Sequence, residues 1–488
     1  MNAEDRKFFN TALTAIAAIT LLRAIVLILS PLDLYPDEAQ YWWWAQTPAF
    51  GYFSKPPMIA WAIWLTTHIF GNSEWAIRIF SPVVHGTTAL VLFGIARRLF
   101  NARIALWSAL AYLTTPGVSY SSGLASTDVP LLFFWAAALY GFVRAMDDNS
   151  WRWTLLIGAA FGLGLEAKYA MFYFLLCAGV AAVVLPEARR VVLSLRGLVA
   201  LIIGLVLLLP NVLWNAARHF PTVSHTESNA DWSHAHYSAL NLLAFVGGQF
   251  GVFGPLLMLG FLLTVWAMVH SGQRDRGTVL MAAFCMPPLI LIVIQSFISE
   301  ANANWAATAY VAATPLAIVA LDKLWHRRIM WAAFAFDGVV MLALWIILIS
   351  PSIADRIGQG NAFKRMEGWD ALGRAVADES QLSQYDTISA ANRSVMAELL
   401  YYVRPHSVPM HEWDANLRDD DHFQMTMRLM PPVHRTLMVL TPDEAASVSK
   451  TFDSFSLLKT IDTPIGGKHH RIVSLYDAMN YRGPQSSH

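Results

Sequence analysis

Long apolar segments recur along most of this chain, and they constrain its fold more than any other feature. Crossing a bilayer takes about 20 consecutive apolar residues in a helix, and such segments follow one another up to residue 350. Of the 488 residues, 56% are hydrophobic and only 14% are charged, whereas soluble domains carry about a quarter charged residues. The sequence therefore predicts a polytopic α-helical membrane protein.

The apolar segments predict about 11–13 transmembrane helices. Another apolar segment, 57–70, follows two prolines and is too short to span comfortably. We expect it to lie along the membrane interface with an amphipathic helix at 38–46, because the local Trp and Tyr residues suit the headgroup zone. The main predicted helices lie near residues 9–30, 76–96, 104–119, 129–146, 154–166, 169–187, 197–215, 241–269, 277–298, 306–321 and 330–350.

Basic residues are concentrated in one of the two alternating sets of loops. Cytoplasmic loops carry an excess of Lys and Arg, so this bias predicts a cytoplasmic N-terminus. The first loop, and everything after residue 350, is then predicted to face the opposite side. The basic-rich loops hold Arg6, Lys7, Arg97, Arg98, Arg103, Arg144, Arg152, Arg189, Arg190, Arg196, Arg274, Arg276, Lys323, Arg327 and Arg328, and the opposite loops hold Lys55, Arg78, Lys168 and Arg218.

The chain becomes more polar after residue 350, and its patterns become shorter. The stretches "GWDALGRAVAD" and "PDEAASVSKTF" read as helices, and "RTLMVLT" and "HHRIVSLYDA" read as strands. Alternating strands and helices predict a soluble C-terminal α/β domain. We therefore expect a transmembrane domain at 1–350 and an α/β domain at 351–488.

Two compositional features exclude other classes of function. The formal net charge is zero, which argues against a nucleic-acid partner. The two cysteines, Cys177 and Cys285, both lie in apolar segments, so they indicate small core side chains and no disulfide framework.

The first loop, "DLYPDEAQYWWWAQTPAFGYFSKPPMIAW", begins a set of polar residues on the predicted external face. Acids, bases and imidazoles gather there beside an aromatic-rich wall, which suits a substrate with a charged head and a long apolar tail. These candidates for catalysis or substrate binding are Asp37, Glu38, Tyr52, Lys55, Asp128, Glu166, Lys168, Arg218, His219, His225, Glu227, Asp231, His234, His236, Glu300, Asn302 and Asn304.

Elementary chemistry assigns roles to two of these residues, Lys55 and Asp37. Lys55 can pair with a phosphate and offset charge on a phosphate leaving group. Asp37 can take a proton from an attacking hydroxyl. Each also has a structural alternative: Asp37 and Glu38 as solvated loop acids, Lys55 as a snorkelling lysine, and Asp128 as a helix-start acid. The histidines fit no clean ligand motif, so a divalent metal is left open.

Three motifs in this order resemble the GT-C glycosyltransferases: "YPDEAQYW" after the first helix, "YFSKPP" before the interfacial helix and "STDVPLLFFW" at the fourth helix. More narrowly, the chain is similar to protein mannosyltransferases and aminoarabinose transferases, and most of all to rhizobial lipopolysaccharide galacturonosyltransferases. The resemblance covers roughly residues 1–350. It implies transfer of a sugar from a polyprenyl-phosphate donor to an envelope acceptor, normally with inversion, at the periplasmic side of a bacterial inner membrane.

The resemblance also implies roles for individual residues. Asp37 falls on the family's first-loop acid, which would be the general base or the group that positions the acceptor, with Glu38 as a second candidate. Lys55 and Arg218 would bind the donor phosphate, and Asp128 would support the acceptor or the first acid. The candidate substrate contacts are Tyr52, His219, His225, Glu300 and Asn304.

The chain departs from the aminoarabinose transferases at Ser54, where those enzymes carry an acid before the motif lysine. The change removes one potential metal ligand and favours the lipopolysaccharide branch. The expected partners are a polyprenyl-phosphate-linked sugar, a lipid or glycan acceptor and membrane lipids. Two alternatives are a transporter or flippase of a lipid-linked substrate and a non-catalytic envelope scaffold. Transporters place ionisable groups near the bilayer midplane, in repeated halves that are not visible here.

Overall fold

The computed structural model describes residues 3–148, 150–231, 237–270, 272 and 275–484. The chain forms two compact units. The helical unit comprises Met1–Ile28, Lys55–Ala62 and Arg78–Trp345, and the mixed unit comprises Leu29–Ser54, Ile63–Ile77 and Ile346–His488. The domain boundary at residue 350 stays a prediction.

Helices dominate the described residues. The first group is α1 (Ala3–Leu29), α2 (Pro36–Gln46), α3 (Met58–Phe70), α4 (Glu74–Arg78), α5 (Phe80–Leu99), α6 (Ala102–Thr114), α7 (Pro116–Ser121), α8 (Asp128–Asp148), α9 (Trp151–Ala167), α10 (Tyr173–Val184), α11 (Pro186–Val192), α12 (Leu195–Ala216) and α13 (Pro221–Ala230). The second group is α14 (Ala239–Phe253), α15 (Pro255–His270), α16 (Arg276–Ile298), α17 (Ala307–Leu321), α18 (Arg328–Ile349), α19 (Ser352–Arg356), α20 (Trp369–Leu382), α21 (Arg393–Tyr402), α22 (His422–Met427) and α23 (Ala445–Val448).

Seven helices among the described residues are long and apolar enough to cross a membrane, or eight if one bent pair counts as a single span. The predicted polytopic helical fold is therefore confirmed. The predicted count of 11–13 exceeds the number of helices that meet this length, because several predicted segments form shorter helices. The segment 104–119, for example, breaks at Pro116 into α6 and α7, since proline has no N–H to continue the backbone hydrogen bonds of the helix.

The long helix predicted at 241–269 is wrong as a single element. It consists of α14 and α15, which meet at an angle of 107°. Gly254 separates them with φ +89° and ψ 132°, a conformation that residues with a Cβ rarely adopt. Pro255 follows directly, and the residue before a proline disfavours the α region. The Gly-Pro pair therefore turns the chain between two apolar helices.

Two glycines bring α9 and α12 into close contact. A Cβ on Gly158 would lie 2.7 Å from the carbonyl oxygen of Ala200, and one on Gly162 would lie 2.9 Å from that of Gly204. Small residues spaced four apart let helix backbones approach closely in an apolar environment. Aromatic rings fill the space between other helices, with Phe174 packed edge-on or tilted against the rings of Trp135 and Phe284.

The mixed unit contains a five-stranded sheet with the order β2-β1-β3-β5-β4. Its strands are β1 (Thr387–Ala390), β2 (Met410–Glu412), β3 (Arg435–Leu440), β4 (Phe452–Pro464) and β5 (His470–Tyr481). Strands β1, β2 and β3 are parallel, whereas β5 pairs antiparallel with both β3 and β4. The prediction of an α/β fold here is confirmed, with β3, β5 and α20 close to their predicted positions.

Three strands and three helices of the mixed unit, α19, α21 and α22, were missed by the sequence patterns. Strands β1 and β2 contain only four and three residues, too few to show a repeat of two. Strand β4 is exposed along most of its length, so it lacks the alternation of a half-buried strand. The helix predicted over "PDEAASVSKTF" is shorter, because only α23 and a following 3-10 turn at Ser449–Thr451 form.

Replacing Gly254 by alanine should destabilise the protein, because a Cβ there would lie 2.5 Å from Oδ1 of Asp337 and the residue would keep a positive φ. A cost of about 1–3 kcal/mol is expected for such strain. The matched control is Gly247→Ala in α14, where a Cβ meets nothing within 4 Å and helix propensity should improve. The apparent Tm in detergent should fall for G254A only, and equal values for the two variants would contradict this account.

Candidate functional site

The adjacent acids Asp37 and Glu38 occupy different environments in the first turn of α2. Glu38 is 1% exposed, and its Oε2 accepts a hydrogen bond of 3.0 Å from the backbone N–H of Tyr35. This contact satisfies a backbone donor before the helix, as in a capping box, and Pro36 at the first helical position suits its start. Glu38 therefore stabilises the helix start that presents Asp37.

Asp37 forms an ion pair with a residue far along the chain. Nη1 of Arg393 donates a 2.9 Å hydrogen bond to Oδ1 of Asp37 and a second bond to Oε1 of Gln40. Burial works to lower the pKa of Arg393, but the charge of Asp37 and the hydrogen bond to it raise the pKa overall. Arg393 begins α21, whose N-cap side chain, Asn392, accepts from Ser394 N–H. Because α21 holds Arg393 in place, Arg393 orients Asp37.

A second acid near Arg393 is held in its neutral form. Glu412 is fully buried at the end of β2. Burial, with the neighbouring charge of Asp421, raises the pKa of Glu412 to about 10, and Arg393 opposes this shift. The carboxylate that pairs with Arg393 by distance is that of Asp37.

The aromatic residues of the first loop form a packed cluster in the mixed unit. The ring of Tyr52 stacks on that of Trp44 at 4.4 Å. The Tyr52 hydroxyl donates to the carbonyl of Trp44 and accepts from the N–H of Ala49, both at 3.0 Å. Tyr52 is 2% exposed, and burial raises the pKa of its phenol to about 12. These contacts indicate a structural role for Tyr52, which its position in the first loop predicted to be a substrate contact.

Asp128 lies at the start of α8 in the helical unit and has two partners. Its Oδ1 pairs with Nζ of Lys168 at 2.7 Å, and its Oδ2 accepts from the amide of Asn304 at 2.6 Å. Asp128 is 7% exposed. The structure thus brings together three residues predicted for the external face, although the sequence did not show that they contact one another.

Glu166 lies in the last turn of α9, two residues before Lys168. It is 1% exposed, and neither of its carboxylate oxygens has a hydrogen-bond partner among the described residues. Buried acids normally have partners, and an ionisable group in a membrane protein is a functional candidate. A polar contact lies close by in sequence, where the Tyr169 hydroxyl donates to Oδ1 of Asn211 at 2.6 Å.

The remaining candidates lie at several places in the helical unit. Lys55 is half-buried in the bend before Pro56. Arg218 is exposed at the end of α12, with its guanidinium 4.5 Å from the ring of Trp214. His219 follows with φ 60°, and Glu300 is exposed after α16.

The histidine-rich loop shows no metal site in the part that the structure describes. Nδ1 of His225 contacts the amide of Asn229 at 3.1 Å, and His234 and His236 lie outside the described residues. Within the described ranges, no three His, Cys, Asp or Glu side chains are arranged to hold a metal ion. The described donors do not fit a metal centre.

Sequence reasoning missed Arg393, the partner of Asp37. The residues are 356 positions apart, and "ANRSVM" signals only a helix start through Asn392. A basic residue just after a helix cap has no local feature that points to a distant carboxylate. The tertiary structure alone identifies this pair.

Comparisons with known proteins identify the family and the fold of this chain. The profile described as dolichyl-phosphate-mannose-protein mannosyltransferase matches residues 54–214. The lipid A galacturonosyltransferase RgtD of Rhizobium johnstonii is 32% identical over 469 residues, covering 96% of this chain and 98% of that protein. The lipopolysaccharide core galacturonosyltransferase RgtA of the same organism is 32% identical over 210 residues, 42% of each chain. The crystal structure of ArnT from Cupriavidus metallidurans bound to undecaprenyl phosphate has a TM-score of 0.66 at 18% identity, covering 95% of this chain and 97% of that chain.

The likeness to ArnT shows that this chain has the GT-C membrane fold. A relative that is 32% identical over nearly the whole length carries the assignment further. The chain belongs to the family of GT-C membrane glycosyltransferases that includes the rhizobial lipid A galacturonosyltransferase. The resemblance in the three sequence motifs is therefore confirmed, and the protein is a multi-pass membrane enzyme.

Replacing Tyr52 by phenylalanine should lower stability more than activity. The variant keeps the stacked ring but removes the hydroxyl that bonds Trp44 and Ala49, which should cost about 1–3 kcal/mol. We expect a lower apparent Tm in detergent, with kcat within about twofold of wild type once the folded fraction is equal. A large rise in KM with an unchanged Tm would instead assign Tyr52 to substrate binding.

The pair of Asp128 and Lys168 should be strongly coupled in stability. Lys168→Met would leave a mostly buried carboxylate with only the Asn304 amide, a loss of up to about 3 kcal/mol. Adding Asp128→Asn removes that charge, so the double variant should melt above the Lys168→Met single variant. Additive losses in a double-mutant cycle would show that the two side chains do not depend on each other.

Proposed function

We propose that this protein transfers a sugar from a polyprenyl-phosphate donor to an envelope glycolipid, such as lipid A or the lipopolysaccharide core. The observation that carries the proposal is the match with the lipid A galacturonosyltransferase over 96% of this chain. The shared fold with an ArnT structure that holds undecaprenyl phosphate is consistent with a polyprenyl-phosphate donor. A uronic acid is the sugar class that the nearly full-length relative favours.

In this proposal the protein spans a bacterial inner membrane and acts on its periplasmic side. The support is the distribution of basic residues among the loops, since cytoplasmic loops are enriched in Lys and Arg. This orientation places the N-terminus in the cytoplasm and the mixed unit in the periplasm, on the side where Asp37 would act.

The proposed chemistry is a single displacement at the anomeric carbon of the donor sugar. The acceptor hydroxyl oxygen forms a bond to C1, the bond between C1 and the phosphate oxygen breaks, and polyprenyl phosphate leaves. Asp37 accepts the hydroxyl proton as general base. Its Oδ1 is held by Arg393, so the proton would go to Oδ2, and the ion pair sets the direction of that oxygen.

Basic residues of the helical unit would stabilise the leaving phosphate. Lys55 follows directly after the aromatic loop and is half-buried, and a charge with reduced solvation acts more strongly on a growing negative charge. Arg218 is more exposed and would attract the donor phosphate at longer range. Asp128, held by Lys168 and Asn304, would position substrate groups, and Glu166 adds a buried acceptor for sugar hydroxyls.

The two adjacent acids provide a matched test of the base. Asp37→Asn should reduce kcat at least about 100-fold, because general-base catalysis contributes roughly 10²–10⁴-fold. Glu38→Gln keeps an oxygen that can accept from Tyr35 N–H, so we expect kcat within about threefold and a slightly lower Tm.

The measurement is mass spectrometry of lipid A and core oligosaccharide from a deletion strain complemented with wild type, D37N or E38Q. A uronic-acid or hexose increment should be present with wild type and E38Q and absent with D37N. Full activity of D37N would disprove Asp37 as the base. Unchanged lipids in the deletion strain itself would disprove this acceptor class.

A further inference from the structure

A cavity of about 470 Å³ lies within the mixed unit, where the first turns of three helices converge. Pro36 begins α2, Trp369 begins α20 and Asn392 caps α21. This volume is within the range of about 300–1,000 Å³ that small-molecule sites occupy. The cavity is lined by Pro36, Arg365, Trp369, Asn392, Ser394, Val395, Thr441, Pro442, Ile465, His470, Arg471, Ile472 and Val473.

The lining is basic. Arg365, His470 and Arg471 contribute to it, and none of the described lining residues is acidic. The helix N-termini add the positive ends of their dipoles. Their first N–H groups are already bonded, for example that of Trp369 to Asp33 and that of Ser394 to Asn392. The helix ends therefore contribute electrostatic potential, and hydrogen bonds to a ligand would come from side chains.

Two guanidinium groups are held by aromatic rings at this cavity. That of Arg471 lies 3.4 Å from the ring centroid of Trp369, and that of Arg365 lies 4.3 Å from the ring centroid of Tyr35. Arg471 also donates to the carbonyl oxygens of Glu367 and Lys364, so its position is well defined. Stacked guanidinium groups are suited to bind planar or multidentate anions such as carboxylates and phosphates.

Burial lowers the pKa of Arg471 to about 10. The charges of Glu398, Asp33 and Glu367 oppose this shift, and that of Arg365 adds to it. Arg365 and Arg471 therefore repel each other, and the neighbouring acids compensate part of this repulsion. An anion bound between them would relieve this repulsion.

The other lining residues have the character of a carbohydrate site. Ile472 is exposed and offers an apolar surface for the C–H face of a sugar ring, and Asn392, Ser394 and Thr441 offer hydrogen-bonding groups for its hydroxyls. We infer that this cavity binds an anionic sugar, a pyranose that carries a carboxylate or a phosphate.

Residues that line the cavity are sequence neighbours of the proposed base and of its ion-pair partner. Pro36 precedes Asp37, and Asn392 and Ser394 flank Arg393, the partner of Asp37. This inference rests on the proposed function. If the protein transfers a sugar, the cavity is a subsite that binds one of the two substrates. The anion would belong either to the uronate of the donor or to a phosphorylated sugar of the acceptor.

Binding of four simple sugars to the purified full-length protein tests the inference. The probes form two pairs that differ in charge: galacturonate with galactose, and N-acetylglucosamine 1-phosphate with N-acetylglucosamine. Measured by titration calorimetry, at least one anionic sugar should bind at least about tenfold more tightly than its neutral partner. Preference for the uronate indicates the donor as the source, and preference for the sugar phosphate indicates the acceptor.

Arg365→Gln is the decisive variant, because Arg365 is exposed and can be replaced with little risk to folding. It should remove the preference for the anion, whereas Arg365→Lys should retain part of it. The matched control is Arg418→Gln, another exposed arginine of the mixed unit that does not line the cavity, and it should bind as wild type. Equal binding of charged and neutral sugars, or an unchanged preference in R365Q, would overturn the inference.

The same titration with Asp37→Asn separates this inference from the proposed function. D37N should retain the preference for the anion, because Asp37 does not line the cavity. An anionic preference that depends on Arg365, together with full transfer by D37N, would leave the subsite standing and refute Asp37 as the base. Loss of transfer in D37N without any anionic preference in wild type would support the base and refute the subsite.

Discussion

The ion pair between Asp37 and Arg393 joins the first loop to a helix that lies 356 residues further along the chain. It depends on two helix starts, each of which has its own capping contacts. Pro36 and Glu38 define the start of α2, and Asn392 caps α21. Because each helix end is held by its own cap, the two charged groups meet with fixed directions. A group that is held before the substrate arrives need not be ordered during the reaction, which is how positioning lowers a barrier.

In the helical unit the main constraint is the free-energy cost of burying polar groups in a mostly apolar interior. Asp128 is buried with two partners, Lys168 and Asn304, which compensate much of the cost of removing a carboxylate from water. Glu166, only two residues from Lys168, has no such compensation among the described residues. A glycosyltransferase of this family binds a polar sugar beside a membrane, so an uncompensated acid at this position is consistent with contact to a substrate.

The mixed unit combines the proposed base with a basic cavity. Its sheet places β1 between β2 and β3, and α21 follows β1 after a short turn. Asn392, Arg393 and Ser394 are consecutive, yet Arg393 pairs with Asp37 whereas its two neighbours line the cavity. One helix start thus serves both features, and a sugar bound in the cavity would lie close in sequence and structure to the group that orients the base.

Local patterns were enough to predict a large part of this protein. Runs of apolar residues determined the membrane class and most helix positions, because the bilayer imposes one length and one hydrogen-bonding solution on every span. The motifs around Asp37, Lys55 and Asp128 were enough to indicate the family. The positions of turns were predicted less well. The bend at Gly254 was missed, because the residues on both sides of it are apolar and look like one continuous helix.

What only the tertiary structure decided are the contacts between distant residues. Nothing in the neighbourhood of Arg393 points to Asp37, and nothing near Asn304 points to Asp128. The same is true of Arg365 and Arg471, which are 106 positions apart in the numbering and share one cavity. A sequence pattern carries information about the local structure that a residue forms with neighbours a few positions away. Charge pairing and cavity formation depend on distances in space, which exist only after the chain has folded.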